Sequence, residues 1–144
     1  MTAALATSLV GLFGSICVAA FTYWATKQRE QQAEWRKEKL GYYKSFVESI
    51  SGIVEGDDSP EGHKLYAKTT NNLLLFAPQS VISALNAFRA EIAISNKNRS
   101  QEKHDVLFAE LMLAIRKDVG VQPEDDPATF RPTLWASGAG KNVS

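Results

Sequence analysis

The chain has 144 residues, with 16 Lys or Arg balanced by 16 Asp or Glu for a formal net charge of zero. That length holds one modest domain, and a neutral balance argues against a protein that coats nucleic acid. The single cysteine, Cys17, excludes an intrachain disulfide, and together with two histidines it makes no recognisable zinc site.

Thr2–Thr26 contains no acid, base, Pro, Asn or Gln. At about 1.5 Å per residue such a run makes a helix of about 37 Å, enough to cross a hydrocarbon core of about 30 Å with some tilt. Residues 1–26 are therefore expected to form a transmembrane helix. A cleaved signal peptide fits less well, because no Lys or Arg precedes the run and the run is long. Ile16 beside Cys17 does not suit lipoprotein processing either. Lys27, Arg29, Arg36, Lys37 and Lys39 all follow the run. By the positive-inside rule the C-terminal part is expected in the cytoplasm, with the N-terminus on the outer side of the membrane. Tyr23, Trp24, Lys27 and Arg29 mark the membrane interface, where amphipathic rings and basic groups favour the headgroup layer.

Within the run, Ala3, Thr7, Gly11, Ser15 and Ala19 recur every four residues and form one stripe. Small residues at this spacing let helix backbones approach closely in lipid, which predicts a homo-oligomer. Small residues are also common in spans that do not associate.

Residues 27–122 are expected to form a stalk and a helical bundle. The first helix continues past Lys27 to about Glu55, polar at first, then with Leu40, Tyr43, Val47, Ile50 and Val54 at helical spacing. Trp35, Tyr42 and Phe46 widen that face. The segment EGDDSPEG over Glu55–Gly62 is a loop by composition, and its Asp57, Asp58 and Glu61 read as solvated acids. Ser59-Pro60-Glu61 starts a second helix, expected over Pro60–Ala77, with Leu65, Thr69, Leu73 and Phe76 on one face and Tyr66, Leu74 and Leu75 beside it. Pro78 breaks it. A third helix is expected over Gln79–Ser95, inward through Val81, Leu85, Phe88 and Ile92. Ser100 caps a fourth over Gln101–Val119, with Leu107, Phe108, Leu111, Met112 and Ile115 inward and Gly120 as its stop. Residues 123–144 read as an irregular tail, mobile beyond Ala136, whose Phe130, Leu134 and Trp135 either dock on the bundle or bind a cytoplasmic partner. The fold class is all-α, one N-terminal transmembrane helix running into a stalk and a four-helix bundle. Nothing in the sequence asks for a cofactor or a metal.

Among motifs that carry chemistry, one spacing stands out: Arg99-Ser100-Gln101-Glu102-Lys103-His104. Arg, four residues, then His resembles the hallmark of HEPN-type ribonucleases, small helical bundles that cut RNA without metal. That resemblance implies catalytic roles for Arg99 and His104. His104 would move the proton of the attacking 2′-OH or of the leaving oxygen, and Arg99 would hold the phosphate. The family favours Asn, Asp or His after the arginine, where this chain has Ser100. His104 also shares a helix face with Phe108, Leu111 and Ile115, which equally fits a histidine at the edge of a core. The layout as a whole, with Ala-Ile-Arg-Lys-Asp-Val-Gly at Ala114–Gly120, resembles small bacterial membrane-anchored helical proteins. Among these are the HEPN-like membrane accessory proteins of type VI-B CRISPR loci, and the likeness implies an antiphage membrane effector. Two functions are thus expected as alternatives. One is a single-pass membrane protein whose bundle self-assembles or binds a partner, and the other is a membrane-tethered RNA endonuclease.

Overall fold

A computed structural model describes residues 2–54 and 57–135, with side chains from residue 11 onward. All regular structure among them is helical: α1 (Thr2–Ser51), α2 (Pro60–Leu73), α3 (Gln79–Ile92) and α4 (Gln101–Val119). The chain divides into two compact units, residues 1–38 and 39–144.

The first unit is the N-terminal part of α1. No proline interrupts α1, and its Gly41 is tolerated because a helix of this length has propensity to spare. From Gly11 to Trp24 nearly every side chain is exposed, including Leu12, Phe13, Ile16, Val18 and Phe21. Among the described residues no helix is long and apolar enough to cross a membrane. The apolar run expected to span begins before Gly11, so only part of it has described side chains. Ala3 and Thr7 of the small-residue stripe lie outside them. After Lys27 the helix is polar and exposed, and its Lys27–Glu30 pair (3.9 Å) is open to solvent.

The second unit is a four-helix bundle built from the end of α1 and from α2, α3 and α4. Contacts between neighbours run in opposite senses along the chain. Ser49 meets Thr69, Tyr43 meets Phe76, Phe88 meets Phe108, and Lys39 meets Asp118. The topology is up-down-up-down, as short connections between helices favour. Tyr43, Phe46, Ile50, Leu73, Val81, Leu85, Phe88, Phe108, Leu111 and Ile115 form the core. At residue 49 the α1–α2 contact is polar: the Ser49 and Thr69 hydroxyls are 2.7 Å apart, and each lies within hydrogen-bond distance of a carbonyl of its own helix. Near the loop the two backbones touch. A Cβ on Gly62 would lie 2.9 Å from the Gly52 Cα and closer still to the Gly52 carbonyl.

The helix ends follow local chemistry. Ser59 Oγ accepts from the Gly62 N–H and Ser100 Oγ from the Lys103 N–H, each closing the first turn of its helix. Gly120 stops α4 at φ +72°, a left-handed conformation that glycine adopts without a Cβ clash. Three helices are shorter than expected. α1 ends at Ser51 because the chain turns at Gly52 to meet Gly62. α2 ends at Leu73, since Pro78 pushes the residue before it out of the helical region and tightens Leu74–Phe76 into a turn. α3 ends at Ile92, with Ala93 extended (ψ 136°).

Several residues assigned inward by spacing lie outside. Leu40, Tyr42, Trp35, Leu65, Leu74 and Leu75 are exposed, Leu75 by 86%. Trp35 belongs to the first unit and is exposed there, and Leu40 falls on the outer side of the turn that Tyr43 and Phe46 bury. Tyr42 still covers the Phe76 ring, 4.7 Å between centroids.

The tail is tied to α4 by a fork: Arg116 Nε and Nη2 donate to the two Asp125 oxygens at 2.6 and 2.8 Å. This pairing holds the Asp125 carboxyl below its ordinary range and pushes the Arg116 guanidinium up. The same guanidinium lies 5.4 Å from the centre of the Phe130 ring. Leu134 packs against the core, whereas Trp135 beside it is 89% exposed. Residues 136–144 of the tail lie outside the described residues.

Candidate functional site

At the end of the bundle away from Lys39, the last turn of α1, the start of α2, the end of α3 and the start of α4 surround a groove of about 1050 Å³. Leu134 of the tail forms part of its wall. Arg99 and His104 both line it, as do Arg89, His63 and Asp58, which come from other elements.

His104 sits on the first full turn of α4. Its Nδ1 is 2.9 Å from Asp105 Oδ1, and Gln101 Nε2 donates to the same oxygen at 2.8 Å. The ring packs against Phe88 (5.3 Å) and lies parallel to Phe108 (6.4 Å). The imidazole is therefore held on three sides and edges the core, while its helix position leaves it half open to the groove. Arg99, in the turn before α4, is exposed. Arg89 and Arg99 make no ion pair with any described residue.

Glu91 organises this end of the molecule. Its side chain is 1% exposed, and it accepts from the Ser100 N–H (2.9 Å), Asn96 Nδ2 (3.3 Å) and Lys103 Nζ (2.8 Å). Asn96 Nδ2 also donates to the Glu91 carbonyl at 3.0 Å. The Lys103 contact above all, then the Ser100 N–H, draw the Glu91 carboxyl below its usual range. Through these bonds Glu91 fixes the α3–α4 turn, and with it the positions of Arg99 and His104. Spacing alone passed over Glu91, although an acid three residues after Phe88 on an otherwise apolar face was the available signal.

On the opposite wall, burial raises the Tyr66 phenol, and the Thr70 hydroxyl and the Arg89 charge oppose that rise. Neither Tyr66 Oη nor Thr70 Oγ1 makes a hydrogen bond of accepted geometry to any described atom.

Comparison with family models, with curated proteins and with solved structures finds no match. The site is therefore read from its own chemistry.

A second polar cluster lies at the Lys39 end of the bundle. Tyr43 Oη donates to Asp118 Oδ2 at 2.6 Å, and Lys39 Nζ reaches both Asp118 oxygens at 3.0 and 3.1 Å. Burial first, then the Asp118 carboxylate, pushes the Tyr43 phenol far above its usual value. The cluster latches α1 to α4. Among the described residues no group of three or more His, Cys, Asp or Glu could hold a metal ion.

In the first unit, Gly11 and Ala19 are exposed, as are Tyr23, Trp24, Lys27 and Arg29. Nothing lies within 4 Å of a Cβ built on Gly11. Ser15 Oγ donates back to the Gly11 carbonyl at 2.9 Å.

Proposed function

We propose that this chain is a single-pass inner-membrane protein whose cytoplasmic bundle self-assembles or binds a partner protein, acting as an antiphage membrane effector. The observation that carries the reading is the apolar surface of α1. Leu12, Phe13, Ile16, Val18 and Phe21 are each more than half exposed, and at about 100° per residue they spread over about two thirds of the helix circumference, with the uncharged and exposed Gly11, Ser15 and Ala19 on the rest. Packing in water would cover one stripe and leave the rest wet, whereas a bilayer covers every side at once. Ser15 fits such surroundings because its hydroxyl is satisfied by its own helix. With the uncharged residues that precede Gly11, the run reaches about 37 Å against a core of about 30 Å. The basic residues after Thr26 orient it.

Two measurements test this reading. The chain should stay in the membrane pellet through an alkaline carbonate wash, and release into the supernatant overturns the anchor. Mass photometry in detergent should show an oligomer that Gly11→Leu with Ser15→Leu breaks down. Nothing lies within 4 Å of a Cβ on Gly11 and Ser15 is exposed, so an unchanged mass rules out assembly through this stripe.

A second reading is favoured by one observation, that Arg99 and His104 line the same groove. In a membrane-tethered ribonuclease, His104 would move the proton of the 2′-OH or of the leaving oxygen through Nε2 while Asp105 holds Nδ1. Arg99 would stabilise the phosphate charge. Purified protein should then cleave RNA in the presence of chelator, and a folded His104→Ala variant that cleaves equally well overturns it.

A further inference from the structure

The groove joins two features that a purely structural crevice does not need together. Its inner surface is aliphatic: Ile53, Val54, Ile92 and Leu134 are only partly covered, and Ile94 at its edge is 89% exposed. Its rim carries the Arg89 and Arg99 guanidiniums, neither in an ion pair with a described residue. The acids that share the rim are largely neutralised in place. Glu91 is matched by Lys103 at 2.8 Å, and Asp105 is engaged by His104 and Gln101. Asp58 is the remaining lining carboxylate, so among the described lining residues Arg89 and Arg99 face one acid that is in no ion pair with a described residue. The volume, about 1050 Å³, lies at the upper end of small-molecule sites, which run to about 1,000 Å³.

We infer that this groove binds a single-chain anionic amphiphile, an acyl chain ending in a carboxylate or phosphate. The chain would lie along the isoleucine and leucine surface. The head would sit between Arg89 and Arg99, whose planar forks match carboxylate and phosphate oxygens. Aliphatic side chains make up more of the lining than open rings do, Ile53, Val54, Ile92, Ile94 and Leu134 against Tyr66, His63 and His104, with Phe88 fully buried, and this favours an alkyl chain over a nucleotide base. The inference uses only the second unit and does not depend on the anchor proposed above.

Native mass spectrometry of the full chain, released from non-ionic detergent, tests it with four probes. Oleate and lysophosphatidate carry both chain and charge, lysophosphatidylcholine carries the chain without net charge, and adenosine monophosphate carries phosphate without a chain. Oleate and lysophosphatidate should be retained about tenfold better than the other two. An Arg89→Gln, Arg99→Gln double variant should lose that preference, and Ile94→Ser should weaken retention of both acyl probes. Lys68→Gln, exposed and outside the groove, should change nothing. All three positions altered in the groove are exposed, and circular dichroism serves as the check that each variant is folded. Equal retention of lysophosphatidylcholine reduces the site to a greasy surface, and equal retention of the nucleotide reduces it to a phosphate site. Either result overturns the inference, as does an unchanged double variant. Displacement of bound oleate by a short RNA would assign the groove to the ribonuclease reading instead.

Discussion

Adding one methyl group at Gly62 should destabilise the bundle, although the same change elsewhere in a helix would stabilise it. Gly62 lies in the first turn of α2 and is buried against Gly52. Its added Cβ would lie 2.9 Å from the Gly52 Cα and closer to the carbonyl, and those atoms are backbone, with no rotamer to move away. Overpacking of this kind costs about 1–3 kcal/mol, and a rigid obstacle places it at the upper end. Pushing α2 outward also strains the Ser59 cap (3.0 Å) and the Ser59 N–H bond to the Gly52 carbonyl (3.3 Å), with about 1 kcal/mol at stake in the cap. Against this, replacing Gly by Ala in a helix gains up to about 1 kcal/mol. The net loss is roughly 2–3 kcal/mol, which for a domain of this size lowers Tm by about 10–20 °C. Gly41→Ala is the matched control: nothing lies within 4 Å of its Cβ, so it should raise stability by up to about 1 kcal/mol. Thermal unfolding of the full chain in detergent, followed by near-ultraviolet circular dichroism, reads both. If Gly62→Ala melts at or above the parent, the close α1–α2 approach is not a feature of the folded protein.

Tyr43→Phe should cost about 1.5–3 kcal/mol in the same melt, since it removes a 2.6 Å hydrogen bond to the Asp118 carboxylate without changing the packing of the ring. Because the folded state holds the Glu91 carboxyl below its usual range, stability from its contacts is present above pH 4.5 and is lost as pH falls through the lower folded value. Tm should therefore drop on acidification below about pH 4.5, and Glu91→Gln should be less stable at pH 7 while losing part of that drop. Asp125→Ala should free the tail from Arg116, so that chymotrypsin cleaves after the half-buried Phe130 several-fold faster; an unchanged rate would mean that the fork does not hold the tail.

Caps, stops and the all-helical class were readable from residue order because they depend on interactions within a few positions. Ser59 and Ser100 cap their helices, Gly120 ends α4, and Val81, Leu85, Phe88, Phe108, Leu111 and Ile115 face inward, all from spacing. Where a face was assigned without knowing the neighbour, the assignment failed. Leu40 and Leu65 have the right period, but both are exposed, with no described helix covering them. The sequence by itself determined the uncharged run at the N-terminus and the helical pattern after it. Tertiary packing alone decided that Gly52 meets Gly62, that Glu91 is buried beneath Lys103, and that Arg89 joins Arg99, His63 and His104 around one groove. Such pairings join residues 10 or more positions apart, and only the packing of whole helices brings them within reach.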